Sequence, residues 1–229
     1  MIRTVASTAS TNADLLAQAQ SGAPEGLWLR AESQTCGRGR AGRSWQSPPG
    51  NLYTSTIVRL CPGDPDAATL ALTASVALEE VASAYAGPGK LKLKWPNDLM
   101  AGRAKLAGIL LERVGDAVVI GFGVNIAHHP ADLERQTSSL AALGGAAPDP
   151  GDFLVDLADA FARWLGRWRG EGLAPVRERW LGRAHAVGTA LVSGGTEGLF
   201  EGLDPTGALL LRRADGRIET IRAGDVFLT

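Results

Sequence analysis

The hydrophobic residues in the first half of the chain fall into short runs that predict strands, separated by stretches with helical spacing. Runs of five to ten residues, rich in β-branched and other apolar side chains and bounded by Gly, Pro, Asn or Asp, cover residues 2–6, 27–31, 51–60, 90–95, 105–113 and 117–126. Residues 65–86 carry apolar side chains at helical spacing on an alanine-rich background, which predicts a buried helix. Ser10 or Thr11 is a suitable N-cap for an earlier helix that ends near Gly22.

Short connections between the later strands favour an antiparallel arrangement. Residues 114–116 allow only a tight turn, and residues 96–104 are too few for a helical crossover. We therefore predict an α+β fold with a mixed, largely antiparallel central sheet and flanking helices. The acidic residues Glu79, Glu80 and Glu112 are predicted to be surface charges.

The pattern changes in the last quarter of the chain. Residues 153–169 and 175–184 have helical spacing, whereas beyond Gly188 short strand-like runs alternate with Gly, Asp and Pro. Such a texture is typical of a small antiparallel, SH3-like β-barrel. The predicted domains are a catalytic domain over residues 1–184 and a small barrel over residues 185–229.

Composition and charge describe an ordinary globular chain. The 229 residues have a formal net charge of −1 and 45% hydrophobic content, so the chain lacks the overall basicity of a nucleic-acid coat. We find neither a secretory signal nor an apolar run near the ~18 residues of a membrane span. Cys36 and Cys61 are too few for a disulfide framework or a zinc site. The expected location is the cytoplasm.

Residues 34–45, QTCGRGRAGRSW, form a loop suited to binding anions. Three arginines and three glycines fall within residues 37–43. Glycine lets the backbone approach a ligand closely, and the arginine fork matches carboxylate or phosphate oxygens. A solvated turn and an arginine-glycine segment that grips RNA are the two alternatives. Residues 127–149, including the adjacent His128 and His129, are predicted to be an irregular connector.

Three further motifs lie at predicted strand ends: KWPNDL at 94–99, KLAGIL at 105–110 and GFGVN at 121–125. Lys105 is the best candidate for a catalytic cation, with a solvated lysine as the alternative. Asn97 and Asp98 are suited to binding Mg²⁺ or orienting phosphate, although an Asx turn explains them equally. Gly121 and Gly123 share one strand face and leave space for a flat ligand, with a β-bulge as the alternative.

Together with STN at residues 10–12, these motifs resemble those of the biotin protein ligases, in the same order and over nearly the whole chain. The resemblance implies a biotin/lipoate ligase-like fold and the chemistry of that family. Biotin and ATP would give biotinyl-5′-AMP in the presence of Mg²⁺, and biotin would then pass to a lysine on the biotin carrier domain of a carboxylase.

The same resemblance, with the chemistry of the motifs, assigns the site residues. The candidate catalytic residues are Arg38, Arg40 and Lys105. The candidate biotin and adenylate contacts are Ser10, Thr11, Asn12, Gln34, Gly37, Arg38, Gly39, Arg40, Lys105, Gly108 and Gly123. The candidate ATP contacts are Arg40, Arg43, Trp45, Asn97, Asp98 and Asn125, with Asp98 also a candidate Mg²⁺ ligand.

The chain departs from some relatives in two places. STN begins at Ser10, which leaves no room for the N-terminal DNA-binding domain of part of the family, so a monofunctional ligase without a DNA or membrane partner is expected. Residues 127–143 contain no Trp, Phe or Tyr, where some relatives place an aromatic ring over the adenine. The resemblance leaves both a homodimer and a monomer open.

Two other functions remain as alternatives. A lipoate ligase shares the broad fold and the adenylation strategy but is expected to lack the pairing of GRGRAGR with KWPND. A nucleic-acid-binding module would require basic charge beyond a single loop.

Overall fold

The computed structural model describes residues 1–131, 135–144 and 147–228. Within these residues the strands are β1 (Ile2–Thr8), β2 (Trp28–Gln34), β3 (Leu52–Arg59), β4 (Leu91–Lys94), β5 (Asp98–Ala101), β6 (Ala104–Val114), β7 (Ala117–Val124), β8 (Ala190–Ser193), β9 (Thr196–Leu203), β10 (Leu209–Arg212), β11 (Ile218–Ile221) and β12 (Val226–Leu228). The α-helices are α1 (Thr11–Gln20), α2 (Leu70–Ala86), α3 (Pro150–Glu171) and α4 (Ala174–Leu181).

The first seven strands form one sheet in the order β1-β2-β3-β7-β6-β5-β4. β1 and β2 are parallel, because α1 provides the crossover between them, and the other neighbouring pairs are antiparallel. This confirms the predicted α+β fold with a mixed, largely antiparallel sheet.

The predicted connection over residues 96–104 was wrong, because it contains the strand β5. Asp98–Ala101 pairs with β4 on one side and with β6 on the other. Four residues are too few to show a strand period in the sequence, so this strand is defined by its two neighbours rather than by its own pattern.

Helices cover both faces of the central sheet. Successive strand residues point to opposite faces, so Val119 packs in the core under α1 whereas Ile120 packs in the larger core that includes α2 and α3. Ile57 and Val58 on β3 divide in the same way. The two central strands therefore separate two hydrophobic cores.

Two helices differ in length from the expectation. α3 begins at Pro150 rather than at residue 153, because the Asp149 side chain accepts hydrogen bonds from the first free backbone N–H groups. α2 begins at Leu70, after a 3₁₀ turn over Ala67–Thr69. Of the predicted connector over residues 127–149, residues 132–134 and 145–146 lie outside the described residues.

The helical stretch Ala67–Ala86 is long and apolar enough to cross a membrane by length and composition alone, which the sequence analysis did not recognise. In the structure 67% of this stretch is buried inside the protein. A core helix has the same length and composition, so this feature is weak evidence for a membrane span.

Glu79 and Glu80 on α2 are not simple surface charges, which corrects the prediction. Glu79 is only 1% exposed and pairs with Arg179 at 3.3 Å and Arg183 at 3.6 Å. Glu80 accepts hydrogen bonds from Trp164 Nε1 and from Arg163. These partners are separated from α2 by between 83 and 100 residues of sequence for the hydrogen-bonded pairs. The spacing of apolar residues within α2 therefore does not reveal them.

The remaining strands form a second, antiparallel sheet in the order β11-β10-β9-β8-β12. This confirms the small C-terminal β-domain. It contacts the first part of the chain through the indole of Trp95, whose Nε1 donates to Gly207 O at 3.1 Å, and through the rings of Trp180 and Phe200. β12 lies beside the central sheet, where Lys94 Nζ donates to Val226 O at 2.8 Å.

Candidate active site

A cleft with a cavity volume of about 70 Å³ lies over the central sheet, between the start of α1, the arginine loop (residues 34–45) and β12. It brings together most of the residues singled out in the sequence: Ser10, Thr11, Asn12, Gln34, Arg38, Gly39, Arg40, Arg43, Trp45, Asn97, Asp98, Lys105, Gly108 and Gly123. The lining also includes Ser44, Thr54, Lys94, Trp95, Pro96, Ile109, Leu110, Gly121, Phe122, Arg135, Asp225, Val226 and Phe227.

The start of α1 presents three buried polar side chains to the cleft. Ser10 is the N-cap, and its hydroxyl accepts from Ala13 N at 3.5 Å. Thr11 donates its backbone N–H to Gln34 Oε1 at 2.9 Å. Asn12 Nδ2 donates to Glu112 Oε2 at 2.8 Å, so Glu112 is a partner of the site and not the free surface charge that was predicted.

The arginine loop folds as a tight hairpin. Arg38 and Ser44 form an antiparallel bridge, and Gly39 N donates to Arg43 O at 2.7 Å. Gly37 is needed for the hairpin itself, because a Cβ there would lie 2.4 Å from Trp45 O. Gly37 does not line the cleft, so the structure gives it a backbone role where ligand binding was predicted.

Two arginines of the loop contact the C-terminal domain. Arg40 donates from Nη1 to Asn97 Oδ1 at 3.2 Å and from Nη2 to Gly224 O at 3.0 Å. Asp225 lies 3.4 Å from Arg40 Nη1 and 2.8 Å from Arg43 Nη2. The loop is therefore closed over the cleft by a carboxylate of the second sheet.

The space over the glycines of β7 is filled by side chains of the protein, whereas a space for a flat ligand was predicted. A Cβ at Gly123 would lie 2.6 Å from Trp45 Cε2, and one at Gly121 would lie 2.3 Å from Asn12 Oδ1. The pairing of β7 with both neighbours runs through these glycines without a register shift, so they do not form a bulge. Because Gly123 and Gly121 have no side chain, Trp45 and Asn12 can pack directly against the backbone of β7.

Where it packs on Gly123, Trp45 has an unpaired polar atom. Its Nε1 is buried, and no described residue accepts a hydrogen bond from it. A buried N–H without a partner is costly, so a ligand oxygen at this position would remove the cost.

Lys105, Asp98 and Lys94 form a buried charged cluster beside Trp45, with Lys105 Nζ 5.5 Å from the centroid of the indole ring. Lys105 is 8% exposed and its ammonium contacts Asp98 Oδ1, while Lys94 Nζ lies 2.9 Å from Asp98 Oδ2. Burial lowers the pKa of Lys105, and Asp98 offsets this only in part. Burial alone would raise the pKa of Asp98, but the two lysines outweigh it and hold that pKa below its ordinary value.

This cluster does not fit the predicted Mg²⁺ role of Asp98. Both carboxylate oxygens are already occupied by ammonium groups, and a metal ion would have to displace a lysine. Among residues 1–131, 135–144 and 147–228, no group of three or more His, Cys, Asp or Glu side chains is arranged to hold a metal. Magnesium would then enter with the phosphates of ATP rather than on a protein site.

Asn125 does not line the cleft. It is 3% exposed, and its Nδ2 donates to Ser138 O at 3.0 Å. Its backbone N–H donates to Leu106 O. The side chain therefore holds the segment after β7, from which Arg135 reaches the cleft.

Sequence reasoning missed the part of the cleft that comes from the C-terminal domain. Asp225, Val226 and Phe227 line it, yet no motif marks them and they lie far from the other site residues in sequence. Lys94 was also missed, although it opens the KWPNDL motif and its charge was a usable signal.

Two family models match the chain. The biotin/lipoate A/B protein ligase family covers residues 4–125, and the biotin protein ligase C-terminal domain covers residues 191–229. These matches define the class to which the fold and the cleft belong.

Relatives and solved structures agree with this class. A biotin–[acetyl-CoA-carboxylase] ligase of Paracoccus denitrificans is 40% identical, covering 97% of this chain and 98% of the relative. An enzyme of the same name from Mycobacterium tuberculosis is 39% identical over 97% of this chain and 86% of the relative. The biotin protein ligase of Aquifex aeolicus, solved in complex with biotin and ATP, superposes with a TM-score of 0.88 at 23% identity, covering 100% and 99% of the two chains.

The chain therefore belongs to the biotin protein ligase family. It is a ligase whose substrates include biotin and ATP, and this sets aside the lipoate and nucleic-acid alternatives.

Proposed function

We propose that this ligase adenylates biotin and transfers it to one lysine of a carboxylase biotin carrier domain. The observation that carries the proposed residue roles is the convergence of cations on one cleft: Lys94, Lys105, Arg38, Arg40 and Arg43 all line it. A carboxylate and a triphosphate repel each other because both are negatively charged. A cluster of cations offsets this repulsion and allows the two groups to come together.

In the first step a carboxylate oxygen of biotin attacks the α-phosphorus of ATP. The new bond is an acyl phosphate, and the bond to pyrophosphate breaks, with Mg²⁺ arriving on the nucleotide. Lys105 is proposed to stabilise the charge that develops on the α-phosphate. Its ammonium is buried, so water does not screen its attraction to the phosphate oxygens. Asp98 and Lys94 hold that ammonium in place.

The neutral polar end of the cleft is proposed to bind the ureido ring of biotin. Thr11, Asn12 and Gln34 supply amide and hydroxyl groups there, and the ureido group carries both N–H donors and a carbonyl acceptor. Trp45 packs on Gly123 with Lys105 Nζ 5.5 Å from its ring centroid, and its unpaired Nε1 is proposed to donate to the ligand.

The arginine loop is proposed to bind the phosphates and then to shield the adenylate from water. Arg40 and Arg43 would exchange the Asp225 carboxylate for phosphate oxygens. In the second step the amine of the acceptor lysine attacks the acyl carbonyl, an amide bond forms and AMP leaves.

The division into residues 1–184 and 185–229 separates the catalytic part from the domain that supplies Asp225. Asn125 would act on ATP through the segment that it holds, which includes Arg135. The enzyme is proposed to work in the cytoplasm on a protein partner, without DNA or a membrane.

ATP–pyrophosphate exchange tests the adenylation step. Purified chain is incubated with MgATP and labelled pyrophosphate together with biotin, lipoate or no acid, and biotin-dependent exchange is expected. Transfer is then followed with a biotin carrier domain and its acceptor Lys→Arg variant as the control. Exchange with lipoate instead of biotin, or labelling of the Lys→Arg domain, would contradict the proposal.

A further inference from the structure

A continuous chain of hydrogen bonds runs beneath the polar end of the cleft and begins at Glu112. Asn12 Nδ2 donates to Glu112 Oε2 at 2.8 Å, and Asn12 Oδ1 accepts from Ser55 Oγ at 2.6 Å. Ser55 Oγ lies 2.7 Å from Thr11 Oγ1. Ser55 is fully buried, and Thr11 and Asn12 are each 4% exposed, so water does not substitute for these partners.

On its other side Thr11 connects to the arginine loop. Its backbone N–H and its hydroxyl lie 2.9 Å and 3.2 Å from Gln34 Oε1. Gln34 Nε2 donates to Ser47 Oγ at 3.2 Å, and Ser47 Oγ donates to Trp45 O at 3.1 Å. The chain of hydrogen bonds thus joins β6, α1 and β3 to the loop that covers the cleft.

The carboxylate at one end sets the direction of every bond up to Thr11. A carboxylate accepts and does not donate, so the Asn12 amide must turn its nitrogen to Glu112 and its oxygen to Ser55, and the longer bond from Asn12 Nδ2 to Leu110 O at 3.4 Å favours the same orientation. Ser55 then donates its one hydroxyl hydrogen to Asn12 and can only accept a hydrogen bond from Thr11. Thr11 must therefore donate to Ser55, at 2.7 Å, in preference to Gln34 at 3.2 Å.

This direction decides what Thr11 offers to a ligand. Its single hydroxyl hydrogen points into the protein, so the oxygen faces the cleft with lone pairs and accepts hydrogen bonds. The cleft at this point recognises an N–H donor and disfavours a ligand that presents an acceptor or a methyl group.

We infer that Glu112 and Ser55 are positioning residues that fix the Thr11 hydroxyl as an acceptor for a ureido N–H of biotin. The inference rests on the proposed function, and it assigns two residues that do not contact the ligand. Gly121 supports the arrangement, because a Cβ there would lie 2.3 Å from Asn12 Oδ1 and displace the amide.

The experiment compares four variants with the wild-type enzyme in biotin-dependent pyrophosphate exchange. Ser55→Ala and Glu112→Leu interrupt the chain of hydrogen bonds. Glu112→Gln keeps an acceptor oxygen for Asn12 and is the conservative variant. Thr56→Val is the matched control, because it removes a buried hydroxyl from the same strand that bonds only Leu27 O.

The KM for biotin is expected to rise about tenfold in Ser55→Ala, as for the loss of about one oriented hydrogen bond, and by a smaller factor of about threefold to tenfold in Glu112→Leu, where Leu110 O still accepts from Asn12 Nδ2. The KM for ATP and the kcat of exchange should stay within about threefold, and Glu112→Gln should recover most of the biotin affinity. Thr56→Val should match wild type, which separates positioning from a general loss of packing.

Discrimination against an N-methylated ureido analogue of biotin gives a second readout. The wild-type enzyme should prefer biotin to this analogue, and the preference should fall about tenfold in Ser55→Ala, because Thr11 no longer holds its oxygen as a fixed acceptor for the N–H of biotin, whereas the methylated nitrogen has no N–H to lose. If wild-type enzyme uses biotin but Ser55→Ala and Glu112→Leu keep both the KM and the preference, the inference is overturned while the proposed function stands. A wild-type chain without biotin-dependent exchange would overturn both.

Discussion

Asp225 in the C-terminal domain and Arg43 in the arginine loop form an ion pair, with Oδ2 2.8 Å from Nη2. Both side chains are partly exposed, 32% and 42%, and pairs of this kind contribute about 0–1 kcal/mol. The contact is strong enough to bias the loop toward closure and weak enough to be exchanged for a phosphate. It also ties the second domain to the chemistry.

Replacing Asp225 should therefore tighten nucleotide binding. In Asp225→Asn, Arg40 and Arg43 no longer have to break an ion pair with Asp225 before they bind phosphate. The Kd for ATP is therefore expected to fall about two- to fivefold. Isothermal titration at fixed salt measures this. Asp215→Asn, which removes an exposed carboxylate paired with Arg217 in the same domain, is the control. Weaker ATP binding in Asp225→Asn would show that the carboxylate orders the loop for the ligand instead.

Lys105→Ala should slow formation of the adenylate. The loss of a preorganised buried cation costs about 2–4 kcal/mol of transition-state stabilisation, a rate decrease of roughly 30- to 1000-fold. Single-turnover formation of biotinyl-5′-AMP is the measurement, with thermal unfolding to confirm that the variant is folded. Lys92→Ala, on the same sheet but outside the cleft, should match wild type. A Lys105→Ala rate within about threefold of wild type would remove Lys105 from the catalytic residues.

Arg40→Ala should release the adenylate early. Arg40 also joins the loop to Asn97 and Gly224, contacts that do not have to be exchanged for phosphate, so its loss weakens the closed loop over the adenylate. We expect several-fold faster escape of biotinyl-5′-AMP, measured as biotin transferred to lysines of a bystander protein. Arg3→Ala, an exposed variant that loses only a bond to Gln18, is the control. Retention as tight as in wild type would argue against a shielding role.

Acid should remove a stabilising contact between α3 and Glu25, which lies in the turn between α1 and β2. Hydrogen bonds from Arg169 hold the pKa of Glu25 below its ordinary value of 4.5. A carboxyl whose pKa is lower in the folded state stabilises fully above its unfolded value, and this is lost as the pH falls through the folded pKa. The Tm of wild type should exceed that of Glu25→Gln at about pH 7, and the difference should shrink toward about pH 3. A difference that grows with acid would contradict the assignment.

Much of this architecture can be predicted from the sequence, because long elements carry their own pattern. Hydrophobic patterns that were long enough to recognise occur in β3, β6 and β7, which have eight to eleven residues each, and in the apolar face of α2. β5 has four residues and is defined only by its pairing with β4 and β6. Its existence therefore depends on tertiary contacts that no local window contains.

The same distinction applies to the cleft. Lys105, Asn97 and the arginine loop belong to compact motifs, so the local sequence marked them. Glu112 and Asp225 were missed because each acts through one distant partner, Asn12 or Arg43, and a single acidic residue on a strand or in a turn resembles a solvated charge. Only the folded arrangement shows that these carboxylates are engaged.

The position of β7 between two hydrophobic cores has a consequence for local motion. Its amides are bonded to β3 and β6 on both sides, so opening either core leaves the strand covered on its other face. Such amides are expected to exchange with deuterium only through the largest opening events, whereas the arginine loop, held by a few backbone bonds and partly buried side-chain contacts, is expected to exchange early. The floor of the cleft is therefore expected to exchange slowly and its cover rapidly, so the same site combines a rigid base with a mobile cover.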